Sequence, residues 1–195
     1  KYMLSDIRLL ISEANQALAT LERYRSRLDQ VADNLTALEF EDAVTLNDVI
    51  GVLQRGEMVA RVAEEIELYL IEMGIEGRLI AMQLEEMMTN VARDREALLK
   101  DYLPARGPGI MKIEARISEM TADELFDPEV VATALGYRKK AKTTEVRLSS
   151  RGYRVLANIP RLPASVVENL VRQMGTLKAV MMADEDELHD VEGVG

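Results

Sequence analysis

An all-α fold is what this sequence predicts, and three observations carry the prediction. From Asp6 to Leu38 there is neither Gly nor Pro, and apolar residues recur at helical spacing. Apolar residues make up 48% of the chain but aromatics only 4%, with Leu, Ala, Val, Glu and Met abundant and no Trp, a palette that favours helix. Helix-start signatures punctuate the remainder, among them Thr45 with Asp48, Thr121 with Glu124, and Asp127 before Pro128.

The elements follow in order. In the first helix, a positions at Ile11, Leu18, Arg25 and Ala32 and d positions at Ala14, Leu21, Leu28 and Leu35 give a seam apolar everywhere except Arg25. So long a helix with one apolar stripe requires partners. A second helix begins at Thr45-Leu46-Asn47-Asp48 and carries Val49, Val52, Val59, Val62, Ile66, Tyr69 and Met73 on one face, with Gly74 and Gly77 marking its turn. A third run, about Arg78 to Tyr102, shows Leu79, Met82, Met87, Val91 and Leu98 near the same spacing. Residues 1–102 are therefore expected to form an antiparallel three-helix bundle, a spine. The breaker Leu103-Pro104-Ala105-Arg106-Gly107-Pro108-Gly109 opens a connector over 103–146. It holds short helices capped by Thr121 and Asp127, a stop at Gly136, and a basic linker from Tyr137 to Val146.

Residues 147–195 read as a tandem helix-hairpin-helix domain. A helix of about Ser150 to Asn158 leads into Ile159-Pro160-Arg161-Leu162-Pro163. The next helix has Ser165 as N-cap, Glu168 as its box partner and Gly175 as its stop. A short helix capped by Asp184 then feeds Val191-Glu192-Gly193-Val194-Gly195. Aligned, Gly193 stands opposite Arg161 and Gly195 opposite Pro163. Such turns aim backbone N–H groups of the turn and the following helix at a phosphate. The first turn lacks donors at Pro160 and Pro163, and Arg161 offers a charged contact instead. The second keeps both glycines, but the sequence stops at Gly195 before a following helix, so the domain is expected to be truncated there. With Lys1-Tyr2-Met3-Leu4 lacking an initiator Met, both ends read as internal cuts.

Charge supports this placement. The net charge is −10, yet residues 137–183 carry 10 basic and 2 acidic side chains while residues 1–103 carry 11 basic and 20 acidic. One concentrated basic segment in an acidic chain suits contact with a polyanion there, the plainer alternative being a solvated charged face. Contacts to phosphate give affinity without sequence specificity. Candidate DNA-contacting residues are Arg161, Leu162, Lys178, Gly193, Val194 and Gly195.

Other chemistry finds little footing. Without Cys there are no disulfides or thiolate metal sites, which fits a reducing, cytoplasmic setting, and no apolar run approaches the ~20 residues of a membrane span. His189, the only His, reads as a surface residue. Glu64-Glu65-Ile66-Glu67 and Glu85-Glu86 read as solvated faces, since the Glu-x-x-His pairs of di-metal bundles are missing. Met87-Met88 and Met181-Met182 read as core. There is no P-loop, dinucleotide fingerprint or nucleophile–His pair.

Several stretches resemble the DNA integrity scanning protein family of bacteria. They are Ala14-Asn15-Gln16-Ala17-Leu18, Thr20-Leu21-Glu22-Arg23-Tyr24, Leu38-Glu39-Phe40-Glu41-Asp42, Val52-Leu53-Gln54-Arg55 and Glu76-Gly77-Arg78-Leu79-Ile80. Gln83 to Val91, Arg151-Gly152-Tyr153-Arg154-Val155-Leu156 and Ile159 to Pro163 extend the resemblance over nearly the whole chain. It implies a diadenylate cyclase domain, a helical spine and a C-terminal DNA-binding unit. The cyclase domain would condense two ATP into cyclic di-AMP with a divalent metal such as Mg2+. Branched DNA on the C-terminal unit would suppress that synthesis, within a nucleoid-associated octamer whose active sites lie between facing cyclase domains. This sequence contains neither the family's Asp-Gly-Ala nor its Arg-His-Arg cyclase motif. No catalytic residue and no cofactor is therefore assigned to it, and it is expected to be inactive alone. The competing expectation is a structural, oligomerising spine in which the stripe of the first helix binds protein and DNA contact is incidental.

Overall fold

The structure, a computed structural model, describes residues 2–138 and 142–194. The fold is all-α. Among the described residues no strand forms, and an isolated antiparallel bridge joins Thr45 to Arg147.

Helix α1 (Tyr2–Phe40) runs 39 residues, about 58 Å at the α-helical rise. Its seam buries Ala14, Leu18, Leu21 and Leu35 fully, while Ile11, Leu28 and Ala32 are half-buried. Helix α2 (Leu46–Met73) returns antiparallel to it, started by the Asp48 carboxylate accepting the Thr45 N–H at 2.8 Å. A 3-10 turn over Gly74–Gly77 follows. Gly77 suits this turn, because a Cβ would lie 2.8 Å from the end of the Leu70 side chain, which would then have to shift.

The third run departs from its expectation. It is two helices, α3 (Arg78–Met87) and α4 (Val91–Tyr102), broken where Asn90 takes φ 66°. Asn tolerates the left-handed region better than most residues, so neither Gly nor Pro was needed to mark the break. Arg25, the polar exception in the α1 seam, lies at this break. Its Nη1 donates to the carbonyls of Met87 at 2.6 Å and Thr89 at 3.1 Å, which the end of α3 leaves without helical donors. The buried face of α3 is also rotated from the expected one. Ile80 and Leu84 are buried, whereas Leu79 is 76% exposed and Met82 is exposed too.

The first core holds α1, α2 and α3 together through Ala14, Leu18, Leu21, Val59, Ala63, Ile66, Ile80 and Leu84. A second core lies at the Leu35 end. There α5 (Ile110–Ser118), α6 (Ala122–Phe126) and α7 (Pro128–Ala134) place Ile113, Ile117, Leu125, Val131 and Leu135 against Leu35, Ile50, Leu53, Leu98 and Tyr102. The breaker at 103–109 thus changes the chain's direction within one core. The Tyr137–Val146 stretch, expected as a linker, is docked where it is described. The Tyr137 hydroxyl donates to the Tyr102 carbonyl, and the N–H groups of Leu46 and Leu148 donate to the carbonyls of Val146 and Val44, each at 2.9 Å. Lys139, Lys140 and Ala141 of that stretch, with Gly195 of the second turn, lie outside the described residues.

The third core belongs to the C-terminal unit: α8 (Tyr153–Ala157), α9 (Ala164–Met174), α10 (Leu177–Met182) and α11 (Glu185–His189). Leu156, Val166, Val167, Leu170, Val171, Leu177 and Val191 fill it. Two local expectations are corrected. Pro163 rather than Ser165 is the N-cap of α9, and the Glu168 carboxylate accepts the Tyr153 hydroxyl at 3.1 Å instead of completing a capping box. Met181 and Met182 face solvent, the latter 77% exposed, because α10 is too short to bury more than the Leu177 side of its surface. Met87 and Met88 pack half-buried against the first core.

Candidate nucleic-acid interface

The first hairpin joins α8 to α9 through Ile159-Pro160-Arg161-Leu162. Its turn closes with the Leu162 N–H on the Ile159 carbonyl at 3.3 Å, and Arg161 takes φ 65°. The second follows α11 as Val191-Glu192-Gly193-Val194. It closes with the Val194 N–H on the Val191 carbonyl at 3.1 Å, and Gly193 takes φ 91°. Both turns therefore place a left-handed residue third, as a type II turn requires, with Pro160 preset for the second position of the first. Arg161 and Gly193 occupy equivalent positions, as their alignment in sequence implied. At 193 packing adds to the preference for Gly: a Cβ there would stand 3.0 Å from Val166 Cγ2.

The candidate residues divide by surroundings. The Arg161 side chain is exposed at the turn, while Leu162 and Val194 tuck half-buried against the third core and fix the two turns upon it. The first turn of α9 leads directly out of the first hairpin. Backbone N–H groups at this end of a helix have no intrahelical acceptor and sit at its positive pole. Lys178 on α10 is engaged elsewhere. Its Nζ lies 3.0 Å from Asp42 Oδ2 in the α1–α2 turn, and this hydrogen bond, with one from Ser149, holds the Asp42 carboxyl below its ordinary value.

The two hairpins differ in electrostatics. The second turn is tied to α9 by Asn169 Nδ2 on the Glu192 carbonyl at 2.9 Å, but exposed acids surround it. Asp184, Glu185, Asp186, Glu187, Asp190 and Glu192 would all repel a phosphate. The first turn has Arg161 and the start of α9 instead. The two turns share their left-handed third residue, and the first lacks N–H donors at Pro160 and Pro163; charge favours the first.

The basic segment is also less available than its sequence count suggests. Arg154 is only 7% exposed, and its Nη2 lies 2.7 Å from Glu39 Oε2, itself in a residue 5% exposed. The same nitrogen donates to Thr36 Oγ1 at 3.0 Å. Arg151 donates to the carbonyls of Lys100 at 2.7 Å and Leu103 at 2.9 Å, closing the C-terminus of α4. From that same terminus Asp101, 1% exposed, accepts the N–H groups of Gly152, Tyr153 and Arg154 at 2.9, 2.6 and 3.1 Å and so caps α8. Burial, and secondarily the Glu39 charge, push the Asp101 carboxyl up to about 6 against the pull of these bonds. The end of α4 and the start of α8 are thus locked head to tail, and α1 is joined to them through Glu39. This junction was missed in sequence because its members are separated by 48 to 118 positions. The Arg-Gly-Tyr-Arg run at 151–154 was its one local sign.

Among the described residues no group of three or more His, Asp or Glu side chains is arranged to hold a metal ion, and no helix is long and apolar enough to cross a membrane.

A family model described as the DisA bacterial checkpoint controller linker region matches residues 4–144. The chain is 47% identical over 197 residues to the DNA integrity scanning protein DisA of Parafrankia sp. (strain EAN1pec) and to that of Frankia alni, covering all of this chain and 55% of each relative. It is likewise 47% identical over 199 residues to the protein of that name from Carboxydothermus hydrogenoformans, covering 56% of it. The chain thus spans a little over half the length of these curated relatives.

Proposed function

Because the chain belongs to the DisA family of DNA integrity scanning proteins, we propose that it is the spine and DNA-holding part of a diadenylate cyclase that senses DNA structure. The first hairpin holds the phosphate backbone of branched DNA without reading its sequence. A cyclase domain outside this chain, using a divalent ion such as Mg2+, makes cyclic di-AMP from two ATP, and DNA occupancy restrains it through the spine. The parent assembly is a homo-oligomer, an octamer on the family pattern.

The observation that carries the DNA reading is the pair of equivalent turns on one core, with a left-handed Arg161 at one apex and a left-handed Gly193 at the other. Phosphate-led binding weakens steeply with salt, so the test is a salt titration of affinity for junction and duplex DNA. Affinity that stays flat between about 50 and 200 mM salt contradicts the reading. Arg161→Ala is expected to weaken binding by about 1 kcal/mol or more on every sequence. The chain alone is expected to form no cyclic di-AMP from ATP.

A second reading has its own support. Leu68, Ile71, Ile75, Leu79 and Met82 are all exposed on α2, the 3-10 turn and α3. Apolar exposure concentrated in one stretch suits an oligomerising spine. Sedimentation velocity separates the two: self-association without any DNA-dependent shift favours this reading over the first.

A further inference from the structure

A groove of about 360 Å³ opens between α4 and the first hairpin, and it is continuous with the hairpin because Leu162 of the turn forms part of its wall. Two cations of the spine line it. The Arg93 side chain is half-exposed; its Nη2 pairs with Asp94 Oδ1 at 3.0 Å and donates at 3.1 Å to Oδ1 of Asn158, the residue before the turn. Lys100, 42% exposed, holds its Nζ 5.7 Å from the centre of the Tyr153 ring. The two are seven residues apart on one face of α4, about 10.5 Å of helical rise. One nucleic-acid strand carries about three phosphates over that length of its axis.

Two acids also line the groove, and both are engaged. Glu96 pairs with Lys100 at 3.0 Å, and Glu168 accepts the Tyr153 hydroxyl at 3.1 Å. The Glu96–Lys100 and Asp94–Arg93 pairs are both largely open to solvent, and such pairs hold their cations weakly, so a phosphate can displace the acids.

We infer that α4 is a second nucleic-acid contact: Arg93 and Lys100 hold the backbone of one strand that leaves the first hairpin along the groove. This rests on the proposed DNA reading and extends it. A linear duplex is held at the hairpin, whereas a branched DNA has a second arm whose strand follows α4. The spine therefore touches DNA directly and contributes to the preference for branches. Each of these contacts goes to phosphate, so the groove adds affinity for structure and none for sequence.

The test compares a four-way junction with a linear duplex of equal length, by fluorescence anisotropy across a salt series, on the chain as described. Arg93→Gln with Lys100→Gln is expected to lower junction affinity roughly tenfold and to reduce the junction salt slope by about two, leaving duplex affinity within about twofold. Glu96→Gln is expected to raise junction affinity, because it frees Lys100 and removes a repelling charge. Arg8→Gln, an exposed cation near the far end of α1, serves as the control for net charge and is expected to leave both affinities in place. Unchanged junction affinity in the double variant overturns the inference, and so does an equal loss on junction and duplex. If instead Arg161→Ala alone leaves wild-type affinity, the hairpin reading fails while the groove is judged separately. No binding by the wild-type chain overturns both.

Discussion

Arg161 holds a backbone conformation that L side chains adopt at a cost of about 1–2 kcal/mol, and it does so at an exposed turn where nothing else demands Arg. Arg161→Gly is therefore expected to stabilise the fold by about 1 kcal/mol in urea unfolding while weakening DNA binding, opposite signs that a purely structural turn residue would not give. At the buried junction the signs reverse. Arg154→Met leaves the Glu39 carboxylate buried without its cation and is expected to cost about 3–5 kcal/mol. Combining it with Glu39→Gln should restore much of that loss, since the penalty lies in the unpaired charge. Asp101 adds a pH dependence. Its carboxyl titrates at about 6 in the folded chain, above its ordinary value, so the folded state holds a proton the unfolded state has released. Between pH ~4 and ~6 its contribution makes stability fall as pH rises, and above that range the destabilisation is fully present. Asp101→Asn should flatten this part of the profile in unfolding measured across pH.

At the scale of elements, what decided the third helical run was one residue and its partner across the bundle. The apolar spacing from Arg78 to Tyr102 is nearly continuous, so periodicity alone cannot locate the break at Asn90. Arg25 supplies the missing donors for carbonyls at Met87 and Thr89, and that contact spans more than 60 positions. Asn90→Val, a β-branched side chain at φ 66°, should destabilise by about 1–2 kcal/mol, read as a lowered Tm, with Asn90→Gly tolerated. Helix α8 shows the same dependence. Five residues are too few to be stable by propensity, and the N–H groups of its N-cap Gly152 and its first two residues are accepted by Asp101 of α4. By contrast, the starts of α2, α6, α7 and α11 were legible, because their capping partners lie within three residues and the bond is local.

Across the molecule, α1 and α2 run through the first two cores, and the polar junction joins the third to them. The second core spans the breaker at 103–109, so residues on either side of it are expected to unfold together. The C-terminal unit is held to the spine by Asp101, Arg151, Arg154 and the Lys178–Asp42 pair. In the wild-type chain, native-state hydrogen exchange should therefore show α9 amides protected to a degree close to that of α2. In Arg154→Met the α9 amides should exchange about a hundredfold to a few thousandfold faster while α2 keeps its protection, a separation that a merely tethered unit would show already in the wild type. Such coupling gives the first hairpin a rigid connection to the 39-residue α1.

The sequence by itself determined the helical class, the α1 seam, most caps and the two turns, because each depends on residues within one or two helical turns of one another. It also marked the hairpins as the places where phosphate could be met. The tertiary structure alone decided which basic residues remain available. Arg154 and Arg151 satisfy a buried carboxylate and helix-end carbonyls, whereas Lys178 and Arg93 hold only exposed pairs with Asp42 and Asp94, and Arg161 stays outward at the first turn. Charge counts along a chain add residues regardless of direction. Only folding turns some of that charge toward partners within the molecule and leaves the rest to the solvent, where a polyanion can reach it.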